Sequence, residues 1–391
     1  YTRSSQLYNS IEAIAAKENM LSFFGRVNYT MADKYLATFT MRADGSSLFG
    51  ENNKWGYFPS GALAWRISDE KFLKDSKAVS NLKLRLSFGT AGNNRIPSGI
   101  QYTAWRMADA GSKYPWFDGD RDEMMEIETT KNNANLKWET TITRNVGIDF
   151  GFLKSRISGS IDLYWNTTKD LLMKTEIPGA SGYNYQYQNF GQTSNKGVEL
   201  QLMATIVDAK KFTLNFSGNI AYNKNTIDKL NTSSEWQSSN WGAASVYEDF
   251  RVVEGGSLGE IWGYKMNGYF TCWTPNNTSG DLRLVNGKWL PVVDKVSGAT
   301  ADPSADGVDK SYTIFGGTLY PGCPKVETNA DGSVKKQKLG NTVAPITGGF
   351  GFNGTFLKNF DFNVFCNFSL NNKIVNGTKF ALSAKCPYFS L

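Results

Sequence analysis

The sequence contains no histidine. This absence excludes Ser-His-Asp and Cys-His catalytic arrangements and any metal site that needs an imidazole ligand. The acidic pairs Asp120/Asp122 and Glu123/Glu126 have the residue types of a glycosidase, which needs two carboxylates beside the scissile bond. They lie in a long polar segment, where acidic side chains are usually solvated. We therefore do not predict an enzyme and assign no catalytic residue.

The chain also lacks any run approaching the roughly 18 consecutive apolar residues of a membrane-spanning helix. A membrane span in this chain would have to be a β-barrel, because barrel strands need apolar residues only at alternate positions. Charge is not clustered: 42 Lys and Arg face 36 Asp and Glu, with a net charge of +6. Scattered charge is typical of a solvated surface and gives no support to nucleic-acid binding.

Cysteine is scarce, and the four cysteines lack CxxC spacing: Cys272, Cys323, Cys366 and Cys386. Neither a zinc site nor a disulfide framework is predicted, and no cofactor is expected. A single bridge between Cys272 and Cys323, which lie in the same loop-like region, is left open.

Aromatic residues are abundant, at 14% of the chain, and many occur in ribbons of strictly alternating polarity. In the clearest ribbon, apolar residues occupy even positions from Val198 to Ile206, a turn is predicted over 208–211, and even positions from Phe212 to Tyr222 are apolar again. Period two predicts strands with two different faces. These strands reach the roughly 9 to 11 residues that cross a bilayer at a tilt.

Further ribbons of this kind begin near Leu21, Tyr35, Tyr57, Leu82, Val146, Ile157, Phe350 and Phe360. Phe216 and Phe362 lie on the parity expected to face lipid. Between the ribbons, residues 92–139, 167–195, 225–262 and 274–345 read as polar loops, of which 274–345 is the longest irregular segment. A soluble compact domain would rarely tolerate such a loop.

Tight and long connections alternate along the chain. The turns near residues 33, 154, 209 and 358 are tight, whereas the connections after residues 44, 91, 167, 225 and 271 are long. This alternation is typical of a barrel with short periplasmic turns and long extracellular loops. Aromatic residues at strand ends suit interfacial girdles, namely Tyr29, Tyr35, Tyr57, Trp65, Trp165 and Tyr222.

Several short blocks of the sequence resemble the signature of SusC/RagA-type TonB-dependent transporters, and they recur in order from about Leu21 to about Asn376. The resemblance rests on Asp44–Ser47, Phe49-Gly50, Asn53–Gly56, Phe58–Ser60, Trp65–Ser68, Leu82–Arg85, Asn135–Thr140, Gly147–Phe150, Thr168–Leu172, Asn195–Leu200 and Gly263–Lys265. Any one block alone is weakly specific, but together they are highly specific.

This resemblance implies an all-β fold, an antiparallel transmembrane β-barrel of about 22 strands in the bacterial outer membrane, with its lumen closed by a plug. Residues 1–391 are expected to form the middle and later part of such a barrel, without the plug domain or the final strands. Members import oligosaccharides or peptides, are capped by a SusD-like surface lipoprotein, and are energised by the TonB–ExbB–ExbD system, which would act through the plug. The alternatives are a surface glycan-binding protein or adhesin, and a passive porin.

Candidate site residues fall into two groups. Tryptophans of the long loops are candidates for stacking on sugar rings or for contact with the lid protein, although packing between loops is the simpler interpretation: Trp105, Trp116, Trp236, Trp241, Trp273 and Trp289. Polar residues on the inward parity are candidates for lining the lumen, where they would contact water, the plug or the solute: Arg26, Arg42, Arg66, Arg85, Asp149, Asp162 and Glu199.

One further motif resembles a calcium-binding loop. Residues 327–332 contain Asn329 and Asp331 followed by Gly332, in the order of an EF-hand loop. Lys338 stands where the closing carboxylate would be, so no metal site is predicted.

Overall fold

The computed structural model describes residues 18–102, 105–107, 125–127, 130–230, 235–238, 250–315, 317–357 and 359–374. Strands β1 to β13 are Met20–Met31, Tyr35–Ser46, Trp55–Arg66, Val79–Asn93, Trp105–Met107, Met125–Ile127, Thr130–Lys131, Glu139–Phe152, Ile157–Lys169, Leu172–Glu176, Tyr185–Asn189, Gln192–Ala209 and Phe212–Lys229. Strands β14 to β24 are Glu235–Ser238, Phe250–Val253, Glu260–Tyr264, Met266–Tyr269, Leu282–Val285, Lys288–Asp294, Ala299–Thr300, Pro324–Val326, Lys336–Asn341, Ile346–Phe356 and Phe360–Leu370.

The described residues also contain 3-10 turns at Glu51–Asn53, Ile67–Asp69, Gly179–Ser181 and Ser311–Phe315. Within the described ranges, no helix has the length and apolar character needed to cross a membrane.

The main element is a ten-stranded sheet in the order β1-β2-β3-β4-β8-β9-β12-β13-β23-β24. Each pair of neighbours along β1-β2-β3-β4-β8-β9-β12-β13 is antiparallel. The strands of this sheet pair in the order in which they occur along the chain, as expected for an up-and-down barrel wall. The predicted antiparallel wall is therefore confirmed.

One face of this sheet carries large apolar side chains that remain exposed. Phe23 is 60% exposed, Leu63 is 58% exposed and Leu163 is 53% exposed. Soluble proteins rarely expose a contiguous apolar surface of this kind, whereas a barrel wall presents it to lipid. We call this side the apolar face and the other the polar face.

The β12–β13 hairpin follows the predicted alternation except at one point. The register shifts between Thr205 and Val207, so that Val207, and not Ile206, pairs with Leu214. A β-bulge places one extra residue in one strand, and beyond it paired residues again lie on the same face of the sheet. Arg156 stabilises the bulge, because its Nη2 donates to the carbonyl oxygens of Thr205 and Ile206 at 3.3 and 3.2 Å. The turn is also shorter than the predicted 208–211, since the strands continue to Ala209 and resume at Phe212.

A small hydrophobic core lies at the long-loop ends of the strands. Its buried members are Leu48, Phe49, Phe58, Ile96, Leu136 and Trp138. The Phe49 and Trp138 rings have centroids 5.1 Å apart, and Trp138 Nε1 donates to the carbonyl oxygen of Lys54 at 3.2 Å. Gly50 allows the loops to approach, since a Cβ there would lie 2.0 Å from the carbonyl oxygen of Ala134. This core anchors the connections to the wall.

The chain divides into two compact units, and the second comprises Thr232–Ile346 and Ser369–Leu391. The prediction of an irregular segment over 274–345 is wrong, because this unit contains short sheets around a core of its own. The sheets are β14-β15-β16-β22, β17-β21 and β18-β19-β20. Its core consists of Phe270, Leu282, Leu319 and Cys323. Strands this short carry too little alternation to be recognised from the sequence.

Asp281 joins several elements of the second unit. Its carboxylate accepts hydrogen bonds from Thr271 N and Oγ1, both at 3.1 Å, and lies 3.1 Å from the ammonium groups of both Lys295 and Lys325. Burial alone would raise the pKa of Asp281, but the bonds from Thr271, Lys295 and Lys325 outweigh it and lower this pKa.

We expect Asp281→Asn to destabilise this unit by about 1 to 3 kcal/mol, because it removes charge-assisted hydrogen bonds. Because the pKa of Asp281 is lower in the folded state than its ordinary value of 3.8, its ionised carboxylate stabilises the fold at pH values above 3.8. This contribution is lost as the pH falls through the lower folded-state pKa. Thermal unfolding of the parent and the variant between pH 7 and pH 2 measures this. A difference between the two proteins that stays constant over the whole range would contradict the assignment.

Candidate lumen-lining site

The polar face contains a cavity of about 510 Å³ at the middle of the described wall. Its walls are polar side chains from β4, β8, β9, β12 and β13, namely Ser87, Thr143, Asn145, Tyr164, Asn166, Asn195, Glu199 and Asn223. Period two brings them together, because they occupy the parity opposite to the apolar residues of the same strands. The register then aligns them across strands, since Asn145 pairs with Tyr164 and Asn195 pairs with Asn166.

Gly197 lets a tyrosine reach across a whole strand. A Cβ at this position would lie 2.4 Å from Tyr164 Oη and 2.3 Å from the carbonyl oxygen of Tyr222. The Tyr164 ring of β9 therefore passes over Gly197 of β12, and its hydroxyl donates to Asn223 Oδ1 of β13 at 3.0 Å. Asn223 Nδ2 donates in turn to Asn195 Oδ1 at 3.3 Å, and Asn225 Nδ2 donates to the same oxygen at 3.0 Å. This chain of bonds fixes one side of the cavity.

Three other polar side chains of the cavity have no such partner in the described part of the chain. Among the described residues, no hydrogen bond or ion pair involves the side chains of Asn145, Asn166 or Glu199. Glu199 is exposed, and the two asparagines are half-buried. Each amide supplies a donor and an acceptor, and the carboxylate supplies acceptors. The cavity is thus suited to hydrogen-bond hydroxyl or amide groups of a neutral polar solute.

An ionic cluster lies next to the cavity, closer to the short-turn ends of the strands. Arg85 Nη2 lies 2.7 Å from Asp149 Oδ1 and 3.0 Å from Asp162 Oδ1, and Lys83 Nζ lies 3.7 Å from Asp149 Oδ2. Gly147 leaves the space that the pair needs, because a Cβ there would lie 2.4 Å from Asp162 Oδ1 and 2.8 Å from Arg85 Cζ. The two cations and two carboxylates balance, so this part of the wall carries little net charge.

The predicted inward residues are distributed along the whole sheet. Glu199 lines the cavity, and Arg85, Asp149 and Asp162 form the ionic cluster beside it. The remaining arginines lie elsewhere. Arg26 donates to Thr40 Oγ1 at 3.1 Å, Arg42 lies 2.7 Å from Asp44 Oδ2, and Arg66 donates to the carbonyl oxygen of Asp33 at 3.3 Å in the first tight turn.

Of the predicted loop tryptophans, Trp105 lies in β5 and Trp236 lies in β14, while Trp116 and Trp241 lie outside the described residues. Trp273 is buried, with Nε1 donating to the carbonyl oxygen of Lys295 at 2.9 Å and Arg283 stacked 5.0 Å from the ring centroid. Trp289 packs against the core of the second unit. Trp273 and Trp289 therefore stabilise packing inside this unit, which was the simpler interpretation for the loop tryptophans.

The asparagines and Tyr164 are cavity residues that were not predicted from the sequence. They do carry a signal, because Asn145, Asn166, Asn195 and Asn223 all occupy the polar parity near the long-loop ends of consecutive wall strands. The lumen-lining residues predicted from the sequence were charged ones, such as Arg and Asp. The neutral amides become a group only once the register is known.

Cys272 and Cys323 do not form the bridge that was left open. Both are free thiols: Cys323 Sγ donates to the carbonyl oxygen of Thr318 at 3.3 Å, and Cys272 Sγ donates to that of Trp273 at 3.7 Å. In the loop that resembles a calcium site, Asp331 Oδ1 accepts from Ser333 N at 3.0 Å and Asn329 Nδ2 donates to Ser333 Oγ at 2.9 Å. The part of the chain that the structure describes contains no group of three or more His, Cys, Asp or Glu placed to hold a metal.

Comparison with known proteins identifies a family and several relatives that this chain resembles. Residues 2–329 match the profile of a family described as TonB dependent receptor-like, beta-barrel. The chain is 43% identical over 220 residues to the TonB-dependent receptor SusC of Bacteroides thetaiotaomicron, covering 56% of this chain and 22% of that protein. It is 32% identical over 367 residues to the TonB-dependent receptor P3 of Formosa agariphila, covering 93% of this chain and 33% of that protein.

A solved structure described as the RagAB peptide transporter has a similar fold. It superposes with a TM-score of 0.65 at 25% identity, over 90% of this chain and 34% of that chain. The chain thus spans between about a fifth and a third of the length of the proteins it matches.

Proposed function

The chain belongs to the TonB-dependent receptor-like β-barrel family of the bacterial outer membrane, and from this premise we propose that it forms part of the wall of an active importer for neutral polar oligomers, either oligosaccharides or peptides. The observation that carries the proposal is the cavity of the polar face, which in a barrel is the lumenal face. Its free groups are amides and one carboxylate, on Asn145, Asn166 and Glu199.

This composition suits passage better than tight capture. A transport path needs contacts strong enough for entry and weak enough for release. Neutral hydrogen bonds contribute about 0.5 to 1.5 kcal/mol each, which is modest. The neighbouring Arg85 is already neutralised by Asp149 and Asp162, so it does not retain anionic solutes. Hydroxyls of a glycan and amide groups of a peptide both match this surface.

The remaining parts of the mechanism lie with partners. We propose that a SusD-like surface lipoprotein closes the lumen from outside and delivers the solute. Energy would come from the TonB–ExbB–ExbD system, acting through a plug that fills the lumen beside this wall. The likeness to the TonB-dependent receptor SusC and to the RagAB peptide transporter supports this arrangement.

Uptake in cells that express the protein from its own gene tests the role of the cavity. For Asn145→Ala combined with Asn166→Ala, we expect the half-saturating concentration of a labelled oligosaccharide or peptide substrate to rise about 5- to 150-fold, as two hydrogen bonds are lost. The matched control is Gln201→Ala with Asn219→Ala, which removes two amides from the same polar face outside the cavity lining. Equal uptake by the two double variants would contradict the role of the cavity.

Deleting the gene for TonB in the same cells tests energisation. Without TonB, an active importer no longer accumulates the substrate inside the cell to a concentration above the external one. Saturable uptake that persists without TonB would instead indicate a passive porin.

A further inference from the structure

The apolar face carries a row of cations at its long-loop edge. Its cations are Arg144 in β8, Lys196 in β12 and Lys224 in β13, with Trp165 of β9 between the first two, and we refer to these four residues as the basic row. Lys196 pairs in register with both Trp165 and Lys224, so the row crosses adjacent strands at one level. Arg144 Cζ lies 5.2 Å and Lys196 Nζ lies 4.6 Å from the centroid of the Trp165 ring. The ring therefore holds two cations close together by cation–π contacts.

The position of the basic row across the membrane follows from the residues that lie between it and the short-turn ends of the strands. In β8 the same parity carries Phe152, Phe150, Ile148 and Val146 before it reaches Arg144. In β12 it carries Ala204, Leu202, Leu200 and Val198 before Lys196. Eight residues of a strand rise about 27 Å, which, reduced by the tilt, spans most of the roughly 25 Å apolar band of a barrel. The basic row thus marks the outer boundary of the lipid-facing band.

These cations are not neutralised by the wall itself. Within the described residues, no carboxylate forms an ion pair with Arg144, Lys196 or Lys224. Arg144 Nη1 donates to a hydroxyl, Thr167 Oγ1, at 3.4 Å. Asp228, four residues beyond Lys224 in β13, accepts instead from Ser194 and Gln192 at 2.9 Å each. Glu199 and Asp162 lie on the polar face of the sheet. Three unpaired cations at a lipid boundary are costly unless a counter-charge is supplied from outside the chain.

We propose that the basic row binds the phosphate of an outer-leaflet lipid headgroup, with the acyl chains lying on the apolar face below it. Arg and Lys side chains donate to phosphate oxygens, and each cation near an anionic membrane surface adds attraction. The apolar residues Val198 and Leu163 continue directly from Lys196 and Trp165 toward the bilayer centre. A phosphorylated amphiphile therefore matches both parts of the surface, whereas a soluble anion would use only the cations.

Binding of lipid to the purified protein in detergent tests this proposal. The probes are diphosphorylated lipid A, the same lipid with its phosphates removed, and inorganic phosphate, each measured by native mass spectrometry. The parent protein should retain the phosphorylated lipid, and the dephosphorylated form should bind about 10- to 100-fold more weakly. Equal retention of both lipids by the parent overturns the proposal. Displacement of the lipid by inorganic phosphate at equal concentration also overturns it, because that would indicate a site for a free anion.

The variant is Arg144→Gln, Lys196→Gln and Lys224→Gln together, expected to weaken binding of the phosphorylated lipid about 10- to 100-fold. The matched control is Lys154→Gln, Lys210→Gln and Lys211→Gln, which removes the same charge from the tight turns at the opposite edge of the wall. Equal binding by the two triple variants overturns the proposal. Lys196→Gln alone, checked for a normal heat-modifiable barrel, keeps the test valid if the triple variant does not assemble, and it should weaken binding about 3- to 10-fold.

Discussion

Replacing Phe216 by arginine is expected to prevent assembly of the barrel in the outer membrane. Phe216 lies on the apolar face, about midway along the apolar positions of β13 that run from Phe212 to Tyr222, and its ring centroid is 5.4 Å from that of Phe352 in β23. An arginine on the lipid face near the bilayer midplane costs about 2 to 4 kcal/mol. The same result is expected for Phe362→Arg in β24, where the Phe362 ring lies beside Gly354. The measurement is the amount of heat-modifiable barrel in outer-membrane fractions.

The control is Ser217→Arg, one residue away but on the polar face. Ser217 pairs with Met203, whereas Phe216 pairs with Ala204 on the opposite face. An arginine at position 217 points into the aqueous lumen, so assembly should proceed normally. Equal assembly of the variants at positions 216 and 217 would contradict the claim that one face contacts lipid and the other contacts water.

Replacing Trp138 by alanine is expected to give a large loss of stability. Trp138 is 6% exposed, contacts Phe49 and Phe58, and donates to the carbonyl oxygen of Lys54. Truncating a buried aromatic side chain costs about 3 to 5 kcal/mol. The midpoint of thermal unfolding of the purified barrel in detergent, followed by heat-modifiable migration, should fall accordingly.

Trp55→Ala provides the comparison of the same chemistry at an exposed site. Trp55 is 43% exposed and stacks on Phe23 with centroids 6.1 Å apart on the apolar face. Little packing is lost on its removal, so we expect a destabilisation of about 1 kcal/mol or less. A Trp138 variant as stable as the Trp55 variant would contradict the assignment of a core at the long-loop ends.

These residues also explain what the recognisable blocks of the sequence do. Phe49, Gly50, Phe58, Leu136 and Trp138 all belong to blocks that indicated the family, and they form or border this one core. Gly147 and Gly197 belong to two further blocks, and each leaves room for a side chain from a neighbouring strand. The blocks thus describe how the wall is built and anchored, and carry little information about the solute.

The wall was predictable from the sequence because its determinant is local. Alternation places Leu163 and Asp162 on opposite faces whatever the partner strand is. The bulge at Ile206 was not predictable, since Arg156 stabilises it from the tight turn between β8 and β9. The small sheets of the second unit were missed for a similar reason, because strands of two to seven residues such as Ala299–Thr300 and Lys288–Asp294 depend on long-range packing.

The candidate site shows the same division. Parity alone predicted that Arg85, Asp149 and Glu199 face inward. It did not indicate that Arg85 bridges Asp149 and Asp162, or that Tyr164 crosses Gly197 to reach Asn223. Both arrangements depend on the register of three strands, which is set by contacts distant in the sequence.

The account depends most directly on the two faces of β12, and single cysteines introduced at positions 198 to 202 measure them. Labelling of the assembled protein in cells with a water-soluble maleimide, compared with the parent carrying only its native cysteines, reports which positions water reaches. The account predicts that Glu199→Cys and Gln201→Cys react, while Val198→Cys, Leu200→Cys and Leu202→Cys react only after the membrane is dissolved. Equal reaction at all five positions in intact membranes would contradict it.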